Sequence, residues 1–116
     1  MSLSVIDLLK HIRDELAFLM KDARHYTYET FVNDKKTILS YTRSFEIIGE
    51  ACKSVPDYVR NQYPQIDWKG FAGLRDIIIH QYFGIDYNVI WDAIINEVPF
   101  MYATVLNIIN EFETKN

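Results

Sequence analysis

Arg75-Asp76-Ile77-Ile78-Ile79-His80-Gln81-Tyr82 holds a guanidinium, a carboxylate, an imidazole and a phenol around three consecutive isoleucines. An exposed loop has no use for Ile-Ile-Ile, so the stretch reads as part of a helix buried on most of its sides. Polar groups at the rim of a buried element are costly unless they are paired or used, which makes this stretch the first candidate for a site. Upstream, Asp67 is placed to cap a helix starting at Trp68. Downstream, Tyr82-Phe83-Gly84 should end it, with Gly84 as the C-terminal cap. Gly70 and Gly73 weaken the first turns and suggest tight contact with a neighbouring helix.

Working outward, the rest of the chain repeats the helical pattern. Ser4 precedes an apolar stripe of Val5, Leu8, Leu9, Ile12, Leu16, Leu19 and Met20, with Asp7 three residues after the cap. That is a capping-box-like start to an amphipathic helix running to about Arg24. A second helix is expected from roughly Tyr28 to Ser54, capped by Thr27 or Thr30 and bent near Asn33-Asp34. Gly49 inside it suggests close approach by another helix, since glycine in a helix interior costs ~1 kcal/mol relative to alanine. Arg43, Glu46 and Glu50 share one face there. They form ion pairs within the helix, or one of the glutamates orients a basic residue of the Arg75 stretch. A short helix follows, from Pro56 to about Gln62. Asp86 caps a last helical region that Pro99 should kink or split, with Glu113 to Asn116 as a frayed tail. No period-two alternation marks a strand. The expectation is an all-α, up-and-down bundle of four main helices plus a short extra helix, in one domain spanning residues 1–116.

Composition narrows the function. The formal net charge is −4, which argues against a broad nucleic-acid-binding face. Arg13, Arg24, Arg43, Arg60 and Arg75 could still build a local basic cleft if the fold gathers them. Cys52 is the lone cysteine, and its apolar helical neighbours predict a buried structural thiol. Met1-Ser2-Leu3-Ser4 lacks the basic start of a secretory leader. No apolar run approaches the ~20 residues of a membrane span. A cytoplasmic protein without a membrane is therefore expected. His11, His25 and His80 are far apart, so a metal site has little support, and no glycine-rich phosphate loop is present.

The chemistry of Arg75 and His80 suits cleavage of an RNA phosphodiester by the RNA's own 2′-hydroxyl. Histidine titrates near neutrality and can move the protons. Arginine stays cationic and can grip a phosphate at two points. No cofactor is needed. On a helix turning ~100° per residue, Asp76 and His80 share a side, Arg75 and Tyr82 share another, and Arg75 and His80 lie ~140° apart. A symmetric dimer would bring two copies of each group together. An anion at Asp76 beside His80 would favour the imidazolium.

Arg75-x4-His80-x-Tyr82 resembles the R-x4-H-x-Y signature of the HepT-like branch of the HEPN superfamily. The Phe45–Ala51 block, the Pro64–Lys69 block with Gly73-Leu74-Arg75, and the Ile85–Trp91 block resemble that family's flanking segments in order and spacing. The resemblance implies a homodimeric, HEPN-like helical fold and a metal-independent ribonuclease toxin with Arg75 and His80 catalytic and Asp76 supporting. It implies RNA as substrate and an MntA-type nucleotidyltransferase antitoxin as partner, which AMPylates the motif tyrosine, here Tyr82. A different reading is a non-catalytic, nucleotide-binding helical accessory subunit of a minimal nucleotidyltransferase, with Arg75 holding a phosphate. The acidic net charge leans mildly that way.

Overall fold

A computed structural model describes residues 3–115, apart from the side chain of Tyr82. The sequence expectations for Met1, Ser2 and Asn116 lie outside the described residues. The chain folds as an all-α bundle, and among the described residues there is no strand. Helix α1 covers Val5–Ala23, α2 Tyr28–Val32, α3 Lys35–Ser54, α4 Asp57–Gln62, α5 Trp68–His80, α6 Tyr87–Asp92 and α7 Val98–Thr114.

Local sequence explains most of these boundaries. Ser4 accepts the backbone N–H of Asp7 and donates its hydroxyl to the Asp7 carboxylate at 2.8 Å, fixing the start of α1. Thr27 and Thr30 form a reciprocal capping box that opens α2. The expected bend near Asn33-Asp34 is a full break. The Asp34 side chain accepts the Thr37 N–H and starts α3 afresh, so one predicted helix becomes two. Pro56 stands as the N-cap of α4 rather than its first helical residue. Asp67 caps α5 through the Gly70 N–H, as expected.

The ends of the later helices differ from expectation. Gly84 is not the cap of α5. The helix stops at His80, Gln81 caps it, and Tyr82–Gly84 form a separate 3₁₀ turn. The last region is divided just before Pro99, in keeping with the expected split. A π-helical segment, Ala93–Glu97, joins α6 to α7, and the Val98 N–H bonds back to Ala93 O, five residues earlier. The wider turn places Pro99 in the first turn of α7, where its missing N–H costs least. The predicted frayed tail is helical to Thr114, whose hydroxyl donates to Asn110 O.

Helix α1 packs between α3 and α7, and α3 packs on its other side against α5. Leu9, Ile12, Leu16 and Leu19 of α1 meet Tyr41, Phe45 and Ile48 of α3 and Val98, Met101, Val105 and Ile108 of α7 in one core. Phe31 of α2 stacks on Tyr41 at 5.5 Å and on Trp91 at 5.2 Å, tying α2 and α6 to α3. Cys52 is fully buried there, and burial pushes its thiol up to about 12, so it is a structural thiol. Taken together, α6, the π segment and α7 make one helix from Tyr87 to Thr114, long and apolar enough by length and composition to cross a membrane. The expectation that no run reaches that length is therefore corrected. Its apolar face is instead used against α1 in the core.

Candidate functional site

The site is built where α3 and α5 approach most closely. A Cβ on Gly49 would stand 2.8 Å from the backbone oxygen of Phe71 and 3.0 Å from Cγ of Arg75. Only glycine fits, and its placement sets Arg75 directly against α3, as the sequence suggested for Gly49. The same inference fails for the other two positions. A Cβ on Gly73 would meet nothing within 4 Å, and one on Gly70 would meet only its own cap, Asp67.

Arg75 is three-quarters buried and held from two sides. One terminal nitrogen lies 2.8 Å from the Glu50 carboxylate and the other 3.1 Å from Asp76. Lys53 bonds the same Asp76 oxygen at 3.0 Å. The Lys53 ammonium first, and the Arg75 guanidinium second, hold the Asp76 carboxyl below its ordinary value of 3.8. Thus Glu50 is the glutamate that orients a basic residue of the motif, while Glu46 pairs within its own helix to Arg43 at 3.2 Å. A guanidinium carries five N–H donors, so two carboxylates leave donors free for a phosphate.

His80 is placed differently from the sequence expectation. It is exposed on the last turn of α5, and among the described residues its imidazole makes no hydrogen bond. Asp76 is spent on Lys53 and Arg75 rather than on His80. The isoleucine triplet is also less buried than expected. Ile78 enters the core at 2% exposure, but Ile77 and Ile79 are 45% and 42% exposed. They lie ~200° apart on α5, so they expose apolar side chains on two sides of the helix. Tyr82 begins the 3₁₀ turn beyond the end of α5, and its side chain lies outside the described residues.

A cleft of about 460 Å³ opens between α1, α3 and α5. Leu8 and His11 line it from α1, Arg43, Glu46, Ile47 and Glu50 from α3, and Arg75 and Ile79 from α5. Arg75 and Ile79 are one turn apart and face the same way, whereas His80 is not among the lining residues. The ~140° separation of Arg75 and His80 is therefore real within one chain. Of the five arginines that might have gathered, only Arg43 and Arg75 share the cleft. Arg13 pairs with Asp14 and Arg60 with Asp57 elsewhere. Arg43 was among the arginines expected to be able to build a cleft; His11 and Lys53 were not predicted as site residues. Their only sequence signal is helical spacing, which does not say which faces meet.

Fold and site define an all-helical protein with a clamped arginine and an exposed histidine five residues later on one helix. A family model described as ribonuclease HepT-like matches residues 5–108. The chain belongs to the HepT-like ribonuclease family. A protein of Methanocaldococcus jannaschii, named as a putative RNase, is 44% identical over 92% of this chain and 85% of its own length. One of Caldanaerobacter subterraneus, also named as a putative RNase, is 39% identical over 89% of this chain and 92% of its own. A probable ribonuclease HepT of Thermococcus cleftensis is 37% identical over 80% and 84%. No solved structure gives a significant match.

Proposed function

We propose that the chain is the metal-independent endoribonuclease toxin of a toxin–antitoxin pair, cutting RNA by attack of the substrate's own 2′-hydroxyl. The observation that carries this is the clamp on Arg75. Glu50 and Asp76 fix its guanidinium while leaving donors unused. A phosphate docked there would be gripped by a charge already in place, which is where electrostatic stabilisation of a transition state is most effective. His80, exposed on the last turn of the same helix, supplies an imidazole that can take or give a proton. In the reaction a base removes the 2′-hydroxyl proton, the 2′-oxygen bonds to phosphorus, the bond from phosphorus to the 5′-oxygen breaks, and an acid returns a proton to that oxygen. The products are a 2′,3′-cyclic phosphate and a 5′-hydroxyl. Asp76 supports by holding Arg75 and Lys53 together.

The active form in this reading is a homodimer. Ile77 and Ile79, exposed on two sides of α5, give a second copy apolar contacts next to the motif. The partner is an MntA-type nucleotidyltransferase that transfers AMP to Tyr82, adding phosphate charge and bulk close to His80 and blocking RNA. This last part rests on the family resemblance of the Arg75–Tyr82 motif. Purified protein should cleave RNA in EDTA and leave cyclic-phosphate ends. After incubation with the nucleotidyltransferase and ATP, intact-mass analysis should show the mass of AMP on the parent and none on Tyr82→Phe. Equal mass gain on Tyr82→Phe would move the modification elsewhere.

A further inference from the structure

The cleft that receives Arg75 contains an imidazole, but it is that of His11, not His80. His11 stands on α1, more than sixty residues before the motif in sequence, and is exposed with no hydrogen bond among the described residues. The groups facing it across the cleft are Arg43, Glu46 and Glu50 on α3 and Arg75 on α5. Each of those four is already in an ion pair, Arg43 with Glu46 and Arg75 with Glu50. Among the described residues His11 is thus the one titratable group lining the cleft without a bond. Cleavage by a 2′-hydroxyl needs two proton transfers, one from the attacking oxygen and one to the leaving oxygen. His80 of the same chain does not line this cleft, so a phosphodiester docked there on Arg75 meets His11 as the imidazole of its own chain.

We propose that His11 is the second proton-transfer residue of the reaction, acting on a phosphodiester docked on Arg75 in the α1–α3–α5 cleft. His80 of a second copy, brought in by the homodimer proposed above, performs the other transfer. One imidazole takes the 2′-hydroxyl proton as the bond from phosphorus to the 2′-oxygen forms. The other, protonated, gives its proton to the 5′-oxygen as the bond to phosphorus breaks. The pair ends with its protonation states exchanged, and water resets it. Leu8, Ile47 and Ile79 make an apolar wall on which the adjoining nucleoside can rest. The inference rests on the 2′-hydroxyl mechanism proposed above, and it adds a residue outside the motif.

The test compares full-length parent, His11→Ala and His80→Ala on an RNA oligonucleotide, with and without added imidazole. His11→Ala should lose on the order of 10²- to 10⁴-fold in cleavage rate, the usual contribution of a general acid or base. Free imidazole should restore a large part of it, because the vacated cleft admits the small molecule, and a merely structural role is not rescued this way. Unimpaired cleavage by His11→Ala, or a loss that imidazole leaves untouched while the urea midpoint is unchanged, overturns the proposal. Loss in His80→Ala with full activity in His11→Ala leaves the mechanism standing and removes His11 from it. A second probe does not depend on turnover. A dinucleotide with a 2′-deoxy group at the scissile position cannot be cut by this route. At saturation it should shift the imidazole proton resonance that vanishes in His11→Asn. An unshifted resonance overturns the contact even if the parent proves inactive on RNA.

Discussion

Replacing Gly49 by alanine tests the packing that creates the site. Two effects compete. Alanine is the better helix former by ~1 kcal/mol, so at an unconstrained position the change stabilises. At Gly49 the new methyl group would sit 2.8 Å from the Phe71 carbonyl oxygen and 3.0 Å from Arg75 Cγ. The carbonyl belongs to the backbone of α5 and cannot rotate away, so the helices must part. Overpacking of this kind costs ~1–3 kcal/mol, which outweighs the propensity gain and leaves a net loss of about 1 kcal/mol. For a domain of this size that is a fall in Tm of roughly 4 °C. Since Arg75 is displaced with α5, RNA cleavage should fall on the order of tenfold or more. Gly73→Ala is the internal reference. Nothing stands within 4 Å of its added Cβ, so it should gain up to ~1 kcal/mol. Urea unfolding at fixed protein concentration reads all three proteins. A Gly49→Ala protein as stable as the parent would refute the close α3–α5 contact. A loss at Gly73 would place another chain on that face.

Glu50→Gln should change stability by less than about 1 kcal/mol, because the pair with Arg75 is partly open to solvent. It should nonetheless alter cleavage, since Arg75 loses one of its two anchors; an unchanged kcat and KM would show that the clamp is irrelevant to the reaction. Asp76 gives a pH test. Its folded-state carboxyl is held below 3.8 by Lys53 and Arg75. The stability it contributes is therefore present above the unfolded value and is lost as pH falls through the folded one. Asp76→Asn should lower the urea midpoint at neutral pH, and the difference from the parent should disappear in strong acid. A difference that persists in acid would assign the effect to packing instead of charge.

Much of the fold was legible because its signals are local. Ser4, Thr27, Asp34 and Asp67 announce helix starts through side chains that reach the next backbone N–H groups. Gly49 announced a close contact because an interior glycine has an intrinsic cost. What sequence left open was which surfaces meet. Gly73 carries the same local signature as Gly49 yet faces open space. Ile77 and Ile79 look like core residues, but a helix packed along one side buries only Ile78 fully. Pro99 announced a division of the last helical region, but not that a π segment would make it. The site divides along the same line. Arg75 and Asp76 could be read from the motif, and Glu50 was one of two open choices. His11 entered the cleft only through the packing of α1 on α3.

The central claim is that Arg75 and His80 cut RNA without a metal. Full-length parent, Arg75→Ala and His80→Ala, incubated with the same RNA in EDTA and scored for 2′,3′-cyclic-phosphate ends, test it most directly. The account predicts cyclic-phosphate products from the parent and a rate lower on the order of 10²-fold or more in each variant. Equal cleavage by His80→Ala, or parent activity abolished by EDTA, would contradict it.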